Sequence, residues 1–228
     1  MLRFILFFGL AGLLAAATGC PTSAPEDAPP SAATRPDGLR EVPEKQLPPL
    51  GDYSPTSDPA LEAAGPQGWK RLPRNDEQYL IGYYGAARPN VLPRIFVRGE
   101  DWAGQAEDTT RENIAELAAE IDQSLSGGEA QVLERPQAML LAGEPWVRYV
   151  EEARLGNARA EKQILKRVAG GRMYTVELQI YYGKILEARD HAYAVAAELK
   201  FDPAGGKATN PAPPDDAAPG DTPSTDEP

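Results

Sequence analysis

Cysteine and histidine, two residue types that often carry out chemistry at neutral pH, occur once each in this 228-residue chain, as Cys20 and His191. With no second histidine and no further cysteine, neither a typical zinc site nor an H-E-x-x-H motif can form. A Ser-His-Asp triad would have to use His191, and no G-x-S-x-G motif accompanies it. We therefore predict a protein that is not an enzyme, with no catalytic residue, no metal and no cofactor. His191 is interpreted as a helix residue at the edge of the core; the alternative is a ligand or a general base.

Neighbouring carboxylates would suit glycoside hydrolysis or calcium binding, and three such pairs stand out. Glu151 and Glu152 fall in a predicted strand, where neighbours point to opposite faces, so they should not converge. Glu100-Asp101 and Glu107-Asp108 are predicted to lie in a loop before a helix, where acidic residues favour its amino-terminal end. No D-x-D-x-D-G calcium loop occurs. We predict that none of these pairs is catalytic.

Two further groups could form a contact surface. The aromatic group either lines a groove that faces a partner or fills the core; it comprises Tyr79, Tyr83, Tyr84 and Trp146. The basic group forms either a strip for an anionic partner, such as the acidic tail of the chain itself, or a solvated sheet face; it comprises Arg148, Arg154, Arg159, Lys162, Lys166 and Arg167.

The amino terminus has the features of an export signal. Arg3 is the only charge before Cys20, and the run FILFFGLAGLLAAA is shorter than the roughly 20 apolar residues that span a membrane. The segment A-T-G-C resembles the lipobox of bacterial lipoproteins. That resemblance implies cleavage before Cys20 and acylation of its thiol, with palmitate among the acyl chains, and two or more chains anchor a protein stably. The alternative is an ordinary secretory signal.

Composition divides the chain into a signal peptide (1–19), a lipidated cysteine with a disordered spacer (20–67), an α+β domain (68–202) and a disordered tail (203–228). The spacer and the tail are rich in proline and lack hydrophobic periodicity. Counted over 21–68 and 202–228, each carries a net charge of −5, whereas 69–201 carries −2, so most of the net charge of −11 lies outside the domain. Because binding to phosphates needs a basic surface, nucleic acid is excluded as a partner.

Periodicity within the domain predicts about six strands and two helices. Thr109 and Glu112 fit a capping box, the apolar residues from Ile114 to Leu125 follow at helical spacing, and Gly127-Gly128 ends this helix. A second helix spans 185–199, with Ala188, Ala192, Val195, Ala196 and Leu199 on one face. The strands are predicted over 78–84, 94–98, 131–141, 146–155, 161–168 and 173–182.

Short, mostly glycine-containing connections join the last four strands, which favours an antiparallel meander. The last strand alternates most clearly: Tyr174, Val176, Leu178, Ile180 and Tyr182 point one way. These elements predict an α+β fold, an antiparallel sheet with helices packed on it and disordered segments on either side.

The order of elements resembles the fold of PsbP, Mog1 and related small exported proteins. The resemblance covers about 67–201 and rests on Gly68-Trp69, the helix over 112–125, the segment AGEPWVRYV, the glycine turn before MYTVELQIYY, and a final helix ending at Phe201. It implies a PsbP/Mog1-like domain, and a role in binding or assembly where a role is known. It carries over no site residues.

Together these observations predict a lipid-anchored protein of the cell envelope, at the cell membrane or the outer membrane, with its domain on the periplasmic side. Its predicted role is a non-enzymatic binding or assembly module with an envelope protein as partner. The alternatives are a small-ligand carrier with a pocket between sheet and helix, and a hydrolase that uses His191.

Overall fold

The computed structural model describes residues 38–201, except residues 74, 76 and 129. Within these residues the chain forms two α-helices, α1 (Ile114–Ser126) and α2 (Ile185–Ala197), and a short 3-10 helix (Glu44–Gln46). The strands are β1 (Arg40–Val42), β2 (Leu50–Pro55), β3 (Leu61–Pro66), β4 (Lys70–Arg71), β5 (Ile81–Tyr84), β6 (Arg94–Asp101), β7 (Val132–Leu141), β8 (Glu144–Leu155), β9 (Ala158–Ala169), β10 (Arg172–Tyr181) and β11 (Lys200–Phe201).

The predicted antiparallel meander is confirmed: β7 to β10 pair in sequence order and form the centre of the main sheet. Its turns place glycines at positive φ, at Gly143, Gly156 and Gly170-Gly171, where a residue without Cβ avoids strain. The whole sheet has the order β1-β7-β8-β9-β10-β6-β5-β4. It has eight strands rather than six because β1 and β4, of three and two residues, are too short to show a period.

The prediction of a disordered spacer as far as residue 67 is wrong for residues 38–67. β1 pairs in parallel with β7, and β2 and β3 join β11 in a second sheet of three strands. Leu61 and Ala63 are fully buried. The prolines lie between strands or at their ends, where a missing N–H costs no ladder bond, so a proline-rich segment can still pair. The folded part therefore begins before residue 68. The predicted signal peptide, Cys20 and the predicted tail lie outside the described residues, in 1–37 and 202–228.

The core on one face of the main sheet lies beneath α2. Val176, Leu178 and Ile180 of β10 face this side and are buried, as the alternation predicted. The face of α2 predicted to be buried is also confirmed, since Ala188, Ala192, Val195 and Ala196 are all buried. The helix ends at Ala197 rather than 199, so Leu199, also buried, lies just beyond it. β3 packs against α2 as well, so the small sheet helps to close this core.

The opposite face carries a smaller core beneath α1, in which Ile114, Leu117 and Ile121 contact Val147 and Val168 of the sheet. The helix is confirmed, but its capping box lies one residue later than predicted. The Thr110 hydroxyl accepts the backbone N–H of Asn113, and the Asn113 side chain accepts the N–H of Thr110 in return. The Thr109 hydroxyl instead accepts the N–H of Val168 in β9, which ties the start of α1 to the sheet.

Candidate functional site

A cavity of about 530 Å³ lies where the end of β10 meets the first turns of α2. This cavity, termed the helix-side pocket, is built from five separate parts of the chain and has mostly apolar or aromatic walls. Its lining residues are Trp69, Gly85, Leu92, Pro93, Ile180, Tyr181, Tyr182, Lys184, Glu187, Ala188 and His191. The volume falls within the range of about 300–1,000 Å³ that small-molecule sites occupy.

Trp69 forms one wall, and close packing holds its ring. A Cβ at Gly85 would lie 2.7 Å from the indole, so the ring occupies space that only glycine leaves free. The centroid of the same ring lies 5.3 Å from that of His191, with the two planes tilted by 55°. The indole is thus fixed between the end of β5 and α2.

Tyr182 forms a second aromatic part of the wall. The guanidinium carbon of Arg159 lies 3.5 Å from the centre of its ring, a cation–π contact. Arg159 is held in turn by two hydrogen bonds to the carboxylate of Glu152, of 2.7 and 2.8 Å. One face of Tyr182 is therefore occupied by a positioned cation.

His191 lies half-buried beside Trp69 at the edge of the pocket, which places it at the edge of the core as predicted. Burial lowers the pKa of its imidazole, and the neighbouring Asp190 opposes that shift. The ring is therefore neutral at pH 7. Its Nδ1 atom is buried and has no hydrogen-bond partner among the described residues.

The charged groups at the pocket rim are paired with each other. The ammonium of Lys184 lies 2.5 Å from the carboxylate of Glu187, three residues along the chain. Next to the pocket, Arg189 contacts Asp190 at 3.1 Å. The rim thus presents no uncompensated charge, although both of its charged side chains are more than half exposed.

A second concave region, of about 420 Å³, lies on the opposite face of the main sheet, beyond α1. This region is termed the open-face groove. Its lining residues are Glu77, Gln78, Tyr79, Leu80, Arg98, Gly99, Glu100, Tyr149, Glu151, Lys162, Ile164, Lys166, Met173, Thr175 and Glu177.

The floor of the open-face groove is a ladder of paired charges across strands. Glu177 of β10 is only 3% exposed; it accepts a hydrogen bond of 2.8 Å from Arg98 of β6 and lies 3.8 Å from Lys162 of β9. Lys162 also lies 3.7 Å from Glu151, and Lys166 lies 3.6 Å from Glu100. Cross-strand pairing accounts for these contacts without a ligand.

The predicted aromatic group does not converge on one site. Tyr83 and Trp146 are buried in the α2-side core, where the Tyr83 hydroxyl donates to the carbonyl of Ala63. Tyr79 lies on the opposite face, over Phe96 at 5.2 Å between ring centroids. For Tyr83 and Trp146 the core-filling alternative is therefore correct; Tyr84 lies half-buried in β5.

Of the two alternatives for the basic group, the single strip is wrong, because alternation along β8 and β9 divides its residues between the two faces of the sheet. Lys162 and Lys166 line the open-face groove, whereas Arg148 lies buried on the other face, bound to Glu134 and Gln163. The other members also have acidic neighbours, Arg159 with Glu152 and Arg167 with Glu144, while Arg154 lies in β8 opposite Arg159.

The predicted carboxylate pairs behave mainly as ordinary structural residues. Glu151 and Glu152 point to opposite faces, as predicted, and contact Lys162 and Arg159 respectively. Asp108 accepts the N–H of Gly170 and so fixes the loop before α1. The placement of Glu100-Asp101 in that loop is wrong, since both residues end β6. Among the residues of 38–201 that the structure describes, no group of three or more His, Cys, Asp or Glu side chains could hold a metal ion.

The residues that sequence reasoning missed are those that build the helix-side pocket, above all Leu92, Pro93 and Tyr182. Trp69 was noted only as part of a Gly-Trp start. No spacing in the sequence joins these residues, because they come from separate loops and strand ends. The single usable signal was the predicted α2 itself, which carries Ala188 and His191.

No family model and no curated protein matches this chain. Among solved structures it is similar to the cyanobacterial PsbP protein CyanoP from Synechocystis sp. PCC 6803, with 12% identity, a TM-score of 0.40, and coverage of 66% of this chain and 91% of that one. It is also similar to LpqN of Mycobacterium tuberculosis, described as involved in cell envelope biogenesis, with 15% identity, a TM-score of 0.43, and coverage of 67% and 91%.

A third similar structure is a protein of Bacteroides thetaiotaomicron VPI-5482, with 12% identity and a TM-score of 0.43; the match covers 66% of this chain but spans only about half, 48%, of that protein. PsbP, the family named from the sequence, is thus among the structural neighbours. At these identities and TM-scores the likeness carries no argument about function. Neither helix of the described residues is long and apolar enough to cross a membrane.

Proposed function

We propose that this chain is a non-enzymatic, lipid-anchored binding module of the cell envelope, and that it holds a small ligand in the helix-side pocket. The observation that carries the proposal is the pocket itself: about 530 Å³, mostly apolar walls, and a few polar groups at one edge. Small-molecule sites typically have this composition. Of the roles that the sequence left open, a carrier with a pocket between sheet and helix agrees best with this geometry.

Close packing around the pocket supports a site rather than an incidental gap. Trp69 is held against Gly85, and Tyr182 is held by Arg159, so two aromatic groups of the wall are positioned before any ligand enters. Preorganised walls reduce the conformational entropy that the protein loses on binding, because its side chains need not be ordered when the ligand enters.

Native mass spectrometry of the full chain extracted from membranes tests the proposal. We expect a bound small molecule at one copy per chain, lost in Ala188→Leu, which fills the pocket. The matched control is Ala115→Leu, the same change on the exposed surface of α1, which should retain the ligand. An equal loss in both variants, or a chain that carries no small molecule and takes up none from an envelope extract, would contradict the proposal.

The anchor has a separate test. Cys20 is the only thiol of the chain and follows the A-T-G of the lipobox-like segment. Cells fed a clickable fatty acid should label the wild-type chain and leave Cys20→Ala unlabelled, because the thiol is the proposed acceptor. Labelling that persists in Cys20→Ala would exclude this site.

An envelope protein is a second candidate partner, favoured by exposed apolar side chains near the pocket mouth. Tyr181 and Leu186 are 46% and 72% exposed at the end of β10 and in the first turn of α2. Exposed apolar groups that lie close together often mark protein contacts. Pull-down from detergent-solubilised envelope should then recover one partner with the wild type and with Gln123→Glu on α1, but not with Leu186→Glu. Recovery that is equal with all three chains would argue against this surface.

A further inference from the structure

The geometry points to one ligand class for the helix-side pocket: an uncharged, ring-bearing amphiphile with a single hydrogen-bonding group. This inference rests on the proposed function, since it concerns the ligand of the same pocket. It is argued from three properties of the lining residues, namely the pairing of the rim charges, the uncharged imidazole of the histidine, and the aromatic walls.

The rim charges decide against an ionic ligand. Lys184 and Glu187 neutralise each other at 2.5 Å, and both belong to the pocket lining. An anionic ligand would meet Glu187 and a cationic one would meet Lys184, so either would have to separate this pair. An ionic ligand would also lose its hydration against the apolar walls without gaining an unpaired counter-charge, which costs free energy.

His191 supplies the polar contact. It lines the pocket, and its imidazole is kept uncharged by burial, which lowers its pKa. A neutral imidazole can both donate and accept a hydrogen bond. It therefore suits a hydroxyl or an N–H on the ligand, and it adds no charge that would call for an ionic partner.

The aromatic side chains favour a ring over a plain alkyl chain. Trp69 and Tyr182 both line the pocket, together with the aliphatic Leu92 and Ile180. Aromatic rings gain free energy beyond simple burial when they meet another ring edge-to-face or offset. A flat ring would use these contacts, whereas a flexible chain would lose more entropy for the same buried area.

Three probes with the same ring separate the ligand classes: 5-fluoroindole is neutral, 5-fluoroindole-3-acetate is anionic and 5-fluorotryptamine is cationic. Their binding to the full chain in detergent micelles is measured by fluorine NMR, with Ala188→Leu as the blocked pocket and Ala115→Leu as its control. We expect the neutral probe to bind about tenfold more tightly than either charged probe, because only the charged probes lose hydration without a free partner.

Variants of the rim supply a reciprocal check that leaves the fold intact, since Lys184 and Glu187 are exposed. Glu187→Gln leaves Lys184 without its partner. It should therefore raise the affinity for the anionic probe about three- to fivefold, the size of effect expected of an exposed ion pair. Lys184→Gln leaves Glu187 without its partner and should raise the affinity for the cationic probe by a similar factor. Neither change should alter the affinity of 5-fluoroindole.

The possible results separate the two proposals. If a charged probe binds the wild type as tightly as the neutral one in the unblocked pocket, the inferred ligand class is wrong while the pocket remains a ligand site. If none of the probes binds above the level of Ala188→Leu, both the ligand class and the use of this pocket are wrong. If the rim variants shift all three probes equally, the charge argument fails.

Discussion

The helix-side pocket and the open-face groove lie on opposite faces of one sheet, and their charged side chains occupy different positions. In the pocket, the walls are apolar or aromatic and the single ion pair lies at the rim, between Lys184 and Glu187. In the groove, the charges form the floor itself, with Glu177 nearly inaccessible between Arg98 and Lys162. The groove thus pairs its charged groups with one another across the strands, whereas the pocket exposes mainly apolar and aromatic walls and an uncharged imidazole. This contrast is why the pocket, the larger cavity, is the better candidate for a ligand.

Strand β10 contributes to both regions through its alternation. Ile180 lines the pocket, while Thr175 and Glu177 line the groove. Both faces of the strand are buried, but one is buried by apolar packing and the other by long side chains that lie across each other. Substitutions at adjacent positions of β10 therefore compare the two kinds of burial directly.

The largest effect is expected from Leu178→Ala, which removes a fully buried side chain beneath α2. It should lower the free energy of unfolding by about 2–5 kcal/mol, through lost burial and the cavity it leaves. The adjacent Gln179→Ala, on the other face, should cost less, about 1–3 kcal/mol, because it removes hydrogen bonds to Arg94 and to the almost inaccessible Glu177 but opens no apolar cavity. Urea unfolding of the full chain measures both values. Equal losses would remove the distinction between the faces.

A double-mutant cycle on Arg98 and Glu177 tests the strength of the groove ladder. Glu177 is almost inaccessible, but Arg98 is 42% exposed, so solvent screens the pair. We expect a coupling energy of about 0.5–1 kcal/mol from the variants Arg98→Ala, Glu177→Ala and their combination. A coupling of several kcal/mol would mean that the groove floor behaves as a buried charge network, and the contrast with the pocket would then have to be redrawn.

The sequence predicts best those parts of the molecule whose structure is determined by residues close together in the chain. The last strand was placed at 173–182 and lies at Arg172–Tyr181, because alternation and the preceding glycine turn are both local signals. β1 and β3 were missed because their burial comes from distant residues: Val42 pairs with Leu141, and β3 packs beneath α2. No hydrophobic periodicity within residues 38–67 indicates those contacts.

The site was less predictable than the fold for the same reason. His191 and Ala188 could be placed on one helix from their spacing, but Trp69, Leu92 and Tyr182 reach the pocket only through tertiary packing. The basic group is the opposite case, in which the sequence suggested a grouping that the structure lacks. Its spacing allowed one strip, but alternation along the strands places Arg148 and Lys162 on opposite faces of the sheet.

A smaller effect, confined to the pocket, is expected from Gly85→Ala. The new methyl group would approach the Trp69 ring to 2.7 Å, so the ring must shift, and its partial exposure allows this at a cost of about 1 kcal/mol. Fluorine NMR of the 5-fluorotryptophan-labelled chain reports the shift, since the chain has three tryptophans. Only the Trp69 resonance should move. Gly104→Ala is the matched control, because its methyl group meets the Trp102 ring instead. Movement of the Trp102 signal in Gly85→Ala would contradict local packing.

The smallest effect concerns the protonation of His191 and bears on whether the pocket is as apolar as its walls indicate. Burial lowers the pKa of this imidazole below its ordinary value of 6.5, against the opposing charge of Asp190 on the same helix. The lining groups that carry charge are Lys184 and Glu187, which neutralise each other, while the facing segment contributes only the uncharged Gln46, Leu47 and Pro48. The unfolded chain therefore binds the proton more tightly than the folded chain.

The sign of the pH effect follows from that difference. Stability should fall as the pH decreases from 6.5 towards the lower pKa of the folded state, and the His191 contribution should be flat above 6.5. As the only histidine of the chain, His191 gives a single imidazole signal whose NMR titration locates the folded-state pKa directly. His191→Gln should remove this part of the pH dependence. A His191 titration midpoint above pH 6.5 would show that the charge of Asp190 outweighs the effect of burial. The pocket would then contain a cationic imidazole, in contrast to the uncharged one inferred from burial.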